Sequence, residues 1–203
     1  MGFANSWGPQ PSTLSFSPNI KFVNNNACNL GKDCYYCFRF YNIPEGIIEG
    51  AYMFDHCYNL NHNVKLPSTL QNIHNLFSYC ENLNQKNLIL QFNNVTDAVS
   101  MCYHCFNLPN LINPIIFNGT YNKNLREAFY DCYNLNCPYI YLGDNVYNAY
   151  DIFWQCGNLN CPIIFGNNCN FISYGGFNVF RYHLYNFNSI HILITSVLSS
   201  SGF

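Results

Sequence analysis

Charge is scarce in this chain. Asp, Glu, Lys and Arg make up 9 % of its 203 residues, against roughly 25 % in ordinary soluble chains. The formal net charge is −2 and no basic run occurs. The electrostatic footprint of a phosphate-reading protein is therefore missing, and no nucleic-acid partner is expected. Long apolar runs are absent too, so no membrane span is expected. The tail from Ile190 to Leu198 is too short for one and reads as a capping strand. The first residues show no charged-plus-apolar leader. Met1-Gly2-Phe3-Ala4-Asn5-Ser6 fits the myristoylation pattern, but a pattern that brief arises often by chance.

Reactive constellations are also lacking. Six histidines and ten acidic residues are present, yet their spacing assembles no triad and no ligand set. No catalytic residue, no metal and no cofactor is expected. The sharpest enzymatic alternative is a Cys–His hydrolase built on Cys105 and His104. Sequence neighbours seldom point at each other, and a buried thiol is inert.

What the chain does have is recurrence. The pattern F-x-x-C-x-N-L reads Phe54, Cys57, Asn59, Leu60 and then Phe77, Cys80, Asn82, Leu83. It returns as Cys102, Cys105, Asn107, Leu108, as Phe129, Cys132, Asn134, Leu135, and as Phe153, Cys156, Asn158, Leu159. The anchoring cysteines lie 23, 25, 27 and 24 residues apart. A period of that size is the signature of a solenoid, whose units bury their apolar faces by stacking on their neighbours. Cys34 precedes Cys57 by 23 residues and fits as a first anchor, with Cys37 in the slot that elsewhere holds Leu. Tyr185 to Ile192 resembles Tyr133 to Ile140, with Leu184 in place of the cysteine, and reads as a degenerate seventh unit. The expected organisation is an irregular arm or cap over 1–27, followed by a solenoid over 28–203.

One unit shows what the recurrence means physically. Val64 and Leu66 alternate with Lys65 in a strand-like way until Pro67. Leu70, Ile73, Leu76 and Phe77 follow at three- to four-residue spacing, which predicts a short helical or 3₁₀ piece. Corresponding strands are expected at Leu88–Leu90, Pro114–Phe117, Tyr139–Leu142 and Pro162–Phe165. In register they would form a parallel sheet with strands about 4.8 Å apart. Asn59, Asn82, Asn107, Asn134 and Asn158 are expected to form a ladder that satisfies the backbone of successive turns. Cys34, Cys57, Cys80, Cys105, Cys132 and Cys156 form the matching thiol ladder.

The units resemble the leucine-rich repeats of the BspA type, which read approximately L-x-x-I-x-I-P-x-x-V-x-x-I-x-x-x-A-F-x-x-C. The likeness is carried by Ile43-Pro44-Glu45-Gly46-Ile47 leading to Ala51-Tyr52-Met53-Phe54-Asp55-His56-Cys57, and by Ala128-Phe129-Tyr130-Asp131-Cys132. It covers about four fifths of the chain and breaks at Cys102, at Gln91 and at both ends. The resemblance implies a curved α/β solenoid used for surface recognition, as in adhesins, host-interaction proteins and receptor-contacting phage proteins.

Twelve cysteines invite other readings. Cys34/Cys37 and Cys102/Cys105 are C-x-x-C pairs of the kind that anchors zinc, but each cysteine falls on a repeat position. The two pairs are three units apart. Cys137 and Cys161 are the best candidates for a disulfide, which is left open. Reduced thiols, and folding in a reducing cytoplasm without a signal peptide, are the expectation. Asn94-Val95-Thr96 and Asn118-Gly119-Thr120 match glycosylation acceptors.

The expected function is recognition or attachment, without enzymatic activity, of a protein or carbohydrate partner. The outward stripe of the sheet would carry it through Lys65, Ile89, Ile116, Tyr139, Tyr141 and Ile163. A chain this poor in charge and rich in Asn and Tyr is also prone to self-association. The alternative is therefore a structural subunit of a virion or other assembly, a decoration, adaptor or self-assembling element held by the N-terminal arm. Virion or cell-surface association suits either reading.

Overall fold

The computed structural model describes residues 13–15, 28, 39–41, 43, 45–61, 64–169 and 192–194. Cys34, Cys37, the Met1–Ser6 motif and the Leu184 unit lie outside the described residues. So does most of the expected arm. Within it, Thr13–Ser15 forms β1, paired in parallel with β2 (Arg39–Tyr41).

Short apolar stretches set between turn-forming residues favour brief strands. They form β3 (Gln91–Phe92), β4 (Ile115–Phe117), β6 (Ile140–Tyr141) and β8 (Ile163–Phe165), joined at the edge by β9 (Ile192–Ile194). The five make one sheet in the order β3-β4-β6-β8-β9, and every pairing is parallel. β9 falls within the tail read as a capping strand. A second ladder pairs β5 (Lys123–Asn124) with β7 (Val146–Asn148), also in parallel. It is prolonged by the successive single bridges Glu49–Asn72, Asn72–Asp97 and Asp97–Asn124. Leu88–Leu90 is not a strand; pairing begins at Gln91, and Leu90 contributes its carbonyl to the Ile116 N–H. Val64–Leu66 is not a strand either.

The expected helical pieces are not there: the described residues contain no helix. The reason lies in where the amides go. In the arc from Gly50 to Cys57, the N–H groups of Gly50, Tyr52, Phe54 and His56 donate to the carbonyls of Asn72, His74, Leu76 and Ser78. The intervening Met53, Asp55 and Cys57 donate three residues back within their own arc. Ile73–Cys80, Ala98–Cys105 and Leu125–Cys132 repeat this alternation toward the segment that follows each of them. A helix would keep every amide to itself; here every second one crosses to a neighbour. The arcs reach this geometry by placing two residues, four apart, at positive φ: Tyr52 and His56, Asn75 and Tyr79, Ser100 and His104, Glu127 and Asp131, Asp151 and Gln155. A left-handed residue costs roughly 1–2 kcal/mol, which the cross-segment bonds offset.

The apolar side of each arc packs inward. Phe54 stacks on Phe77 at 5.4 Å between centroids, and Phe129 on Phe153 at 5.8 Å. Cys102 interrupts that column, and Phe129 there meets Phe117 edge-on at 6.3 Å. Phe117 in turn stacks on Phe92 across β4 and β3. Such pairs add about 0.5–1.5 kcal/mol each beyond the area they bury. Lys123 is the one fully buried cation of the described core. Its ammonium donates to the carbonyls of Gly119 and Asp144, each at 2.7 Å, and of Tyr121 at 3.3 Å. Burial lowers its pKa, opposed by the charge of Asp144.

Candidate functional site

Strand residues alternate between the two faces of a sheet, so the register decides which side chains meet solvent. Gln91 pairs with Ile116, Ile116 with Tyr141, and Tyr141 with Ile164. This row faces outward. The row one residue earlier, Ile115, Ile140 and Ile163, is buried. The expectation for Ile163 is thereby corrected: it is 0 % exposed, and Ile164 holds the outward position. A slip of one residue exchanges the faces of a strand, and P-I-I-F at 114–117 matches P-I-I-F at 162–165, so Ile116 corresponds to Ile164.

The other predicted surface residues are where the pattern put them. Lys65 is exposed, Ile89 is 56 % exposed, Tyr139 is exposed, and Ile116 and Tyr141 are half-buried. Burial, then the nearby Asp144 carboxylate, raises the Tyr141 phenol. Ile112, 65 % exposed, was not anticipated, because it belongs to the link between two units.

Beneath the strands and arcs runs the thiol ladder. Cys57, Cys80, Cys105, Cys132 and Cys156 are all buried. Each described thiol from Cys80 onward donates to a carbonyl of the preceding arc: Cys80 to Phe54 O at 3.1 Å, Cys105 to Phe77 O at 2.9 Å, Cys132 to Cys102 O and Cys156 to Phe129 O at 3.0 Å each. The same carbonyls close the local turns, since they also accept the amides of Cys57, Cys80, Cys105 and Cys132. The ladder thus uses cysteine as a small apolar filler that also donates a hydrogen bond. Burial pushes the thiols of Cys80, Cys102, Cys132 and Cys156 up. His104 Nδ1 lies against Asp131, while the Cys105 thiol donates to Phe77 O. Burial raises that thiol, but hydrogen bonds with Cys102 and Cys132, and then the His104 charge, outweigh it and bring it down to about 5. Among the described residues, no group of three or more His, Cys, Asp or Glu is placed to hold a metal ion.

Two neighbouring pairs of the asparagine row are in contact. Asn82 Nδ2 reaches Asn59 Oδ1 at 3.5 Å, and Asn158 Nδ2 reaches Asn134 Oδ1 at 3.1 Å, both at the surface. Asn134 Nδ2 also donates to Phe106 O, and Asn107 is exposed. These side chains bridge neighbouring segments. Turn closure belongs to a second row, in which Asn72, Asp97, Asn124 and Asn148 accept the amides of His74, Val99, Arg126 and Tyr150. The signal was present: each stands eight residues ahead of an anchor cysteine.

The slot just before each anchor is half-buried at His56, Tyr79, His104 and Asp131, and exposed at Gln155. His56 stacks on Tyr79 at 4.6 Å and Tyr79 on His104 at 5.0 Å. His104 Nδ1 then meets Asp131. A parallel column runs from Tyr103 to Tyr130 at 4.8 Å and on to Trp154 at 5.9 Å. Burial first raises both Tyr103 and Tyr130; neighbouring phenols and carboxylates add to it at Tyr103, and carboxylates, Asp151 foremost, at Tyr130.

No protein-family model matches the chain, and no curated protein or solved structure matches it either. Among the described residues no helix is long and apolar enough to cross a membrane.

Proposed function

We propose that the chain is a non-enzymatic recognition module built as a solenoid of the BspA-like leucine-rich-repeat kind, and that it binds a protein or carbohydrate partner with the outer face of its sheet. The observation that carries this reading is the outward row Ile116, Tyr141 and Ile164, flanked by Ile89, Ile112 and Tyr139. These are apolar and aromatic groups, set side by side at the strand spacing, in a chain with little charge. Exposed patches of this composition mark interaction sites, and tyrosine suits protein and sugar surfaces alike because one ring offers both an apolar face and a hydroxyl. The regular offset of the cross-segment hydrogen bonds supports the solenoid.

The test is binding of the purified chain to immobilised glycans and to candidate surface proteins, with Tyr141→Ala and Ile164→Ser as comparison variants. Loss of binding in variants that melt like the parent supports the assignment. Binding unchanged in both would overturn it. Light scattering on the same samples reads the alternative: oligomers or filaments that dissolve on Ile164→Ser would make the stripe an assembly surface of a structural subunit.

A further inference from the structure

Two thiols stand apart from the ladder. Cys137 Sγ and Cys161 Sγ lie 3.7 Å from each other on neighbouring segments, just ahead of β6 and β8. Both are free. The ladder thiols from Cys80 onward each donate to a carbonyl one segment away, whereas these two face each other; Cys137 also reaches Tyr139 O at 3.3 Å. The pair sits at the rim of the core, with Cys137 5 % and Cys161 2 % exposed, and is bracketed by exposed Pro138, Tyr139 and Asn160. A small oxidant has a short path to it.

Adjacent parallel strands bring backbones to about 4.8 Å, inside the Cα separation of 4.4–6.8 Å that a disulfide spans. At 3.7 Å the two sulfurs already face each other, within a short approach of the roughly 2.05 Å of a formed bond. From this geometry we infer that Cys137 and Cys161 are an oxidative modification site, a dithiol that hydrogen peroxide closes into a disulfide clasp between neighbouring segments.

The contact itself polarises the pair. The hydrogen bond between the two holds Cys161 below the ordinary thiol value, and that bond together with burial pushes Cys137 up. Cys161 is therefore the nucleophile, since thiolate rather than thiol attacks. Its thiol loses a proton to water, and the thiolate attacks one peroxide oxygen. The O–O bond breaks, Cys161 becomes a sulfenic acid, and the departing hydroxide takes up a proton to leave as water. The sulfur of Cys137 then attacks the sulfur of Cys161. The S–O bond breaks, and the hydroxide released takes the Cys137 proton as a second water. In sum two thiols lose two electrons to one peroxide, giving one disulfide and two waters. The closed loop runs from Cys137 to Cys161, one full circuit of chain, and ties the segment that carries Tyr139 and Tyr141 to the one that carries Ile164.

The experiment treats the reduced, folded, full-length chain with a small excess of peroxide, blocks the remaining thiols and digests it without reductant. Peptide mass spectrometry then identifies the link. A Cys137–Cys161 cross-linked peptide as the dominant product is expected, and it should revert with dithiothreitol. Oxidised parent should also unfold at higher urea than reduced parent, while Cys161→Ser should form no link and show no such shift. A dominant Cys161 sulfinic acid, a dominant link between other cysteines, or no link at all would overturn the inference. Because the first readout needs only the unsubstituted chain, a variant that folds poorly does not shield the idea.

Discussion

His104 Nδ1 lies 2.9 Å from Asp131 Oδ2, joining two side chains that hold the same slot ahead of successive anchor cysteines. One is an aromatic base and the other an acid, yet the column passes from ring stacking to an imidazole–carboxylate contact without a break.

That pair makes stability depend on pH. Burial raises the Asp131 carboxyl above its ordinary value of 3.8, and the His104 charge and hydrogen bond only partly oppose this. Between 3.8 and the raised value the folded chain holds more protons than the unfolded one. Stability is therefore fullest below that window and declines as pH climbs through it. Urea midpoints measured across mildly acidic pH should show the decline in the parent and a flatter profile in Asp131→Asn. Parallel profiles would remove Asp131 from the account.

The register of β8 separates two neighbouring isoleucines. Ile163→Ala should cost about 2–5 kcal/mol, the range for truncating a buried aliphatic side chain. Ile164→Ala should cost under about 1 kcal/mol. Equal losses in equilibrium unfolding would mean that the two residues share one environment.

Two glycines at similar φ should respond unequally to a methyl group. Gly46 (φ +89) has open space where a Cβ would sit, whereas a Cβ at Gly143 (φ +75) would be driven into the Phe117 carbonyl oxygen. Gly46→Ala should cost only the left-handed backbone penalty, about 1–2 kcal/mol. Gly143→Ala should cost more, because the β4 backbone must also move. Thermal melts of the two variants compare them directly.

In the thiol ladder, Cys105→Ala should destabilise by about 1–3 kcal/mol, from a small void and a lost hydrogen bond to Phe77 O. The Phe77 carbonyl keeps the Cys80 amide, which limits the loss. Retention of full stability on urea unfolding would reduce the ladder to inert filling.

Much of this was legible in the sequence, for identifiable reasons. The matching apolar runs at 115–117 and 163–165 announced short parallel strands, and the recurrence of cysteine announced buried thiols. The helical pieces were misread because apolar residues three and four apart, such as Ile73, Leu76, Phe77 and Cys80, face one side of a helix and one side of these arcs alike. Only the destination of the amides separates the two, and side-chain spacing does not record it. Ile163 is the second residue of its P-I-I-F and Ile116 the third of its own, so the two lie on opposite faces. The row Asn72, Asp97, Asn124 and Asn148 escaped notice because Asp interrupts it and because it lies outside the dominant motif. The column from His56 to Asp131 is hidden because His, Tyr and Asp, with Gln at the next position, share one place; residue identity varies there while stacking and pairing persist.

The arcs Gly50–Cys57, Ile73–Cys80, Ala98–Cys105, Leu125–Cys132 and Ala149–Cys156 are all of one length, while the links between them are not. Inserting or deleting a single amino acid inside an arc would invert which amides look outward and unfasten both flanking neighbours at once. The same edit near Thr120 or Ile112 would merely lengthen a bulge. Natural drift in size, and any engineered cargo, therefore belongs in the links, which makes them the places where a lineage of such chains can diversify without losing its shape.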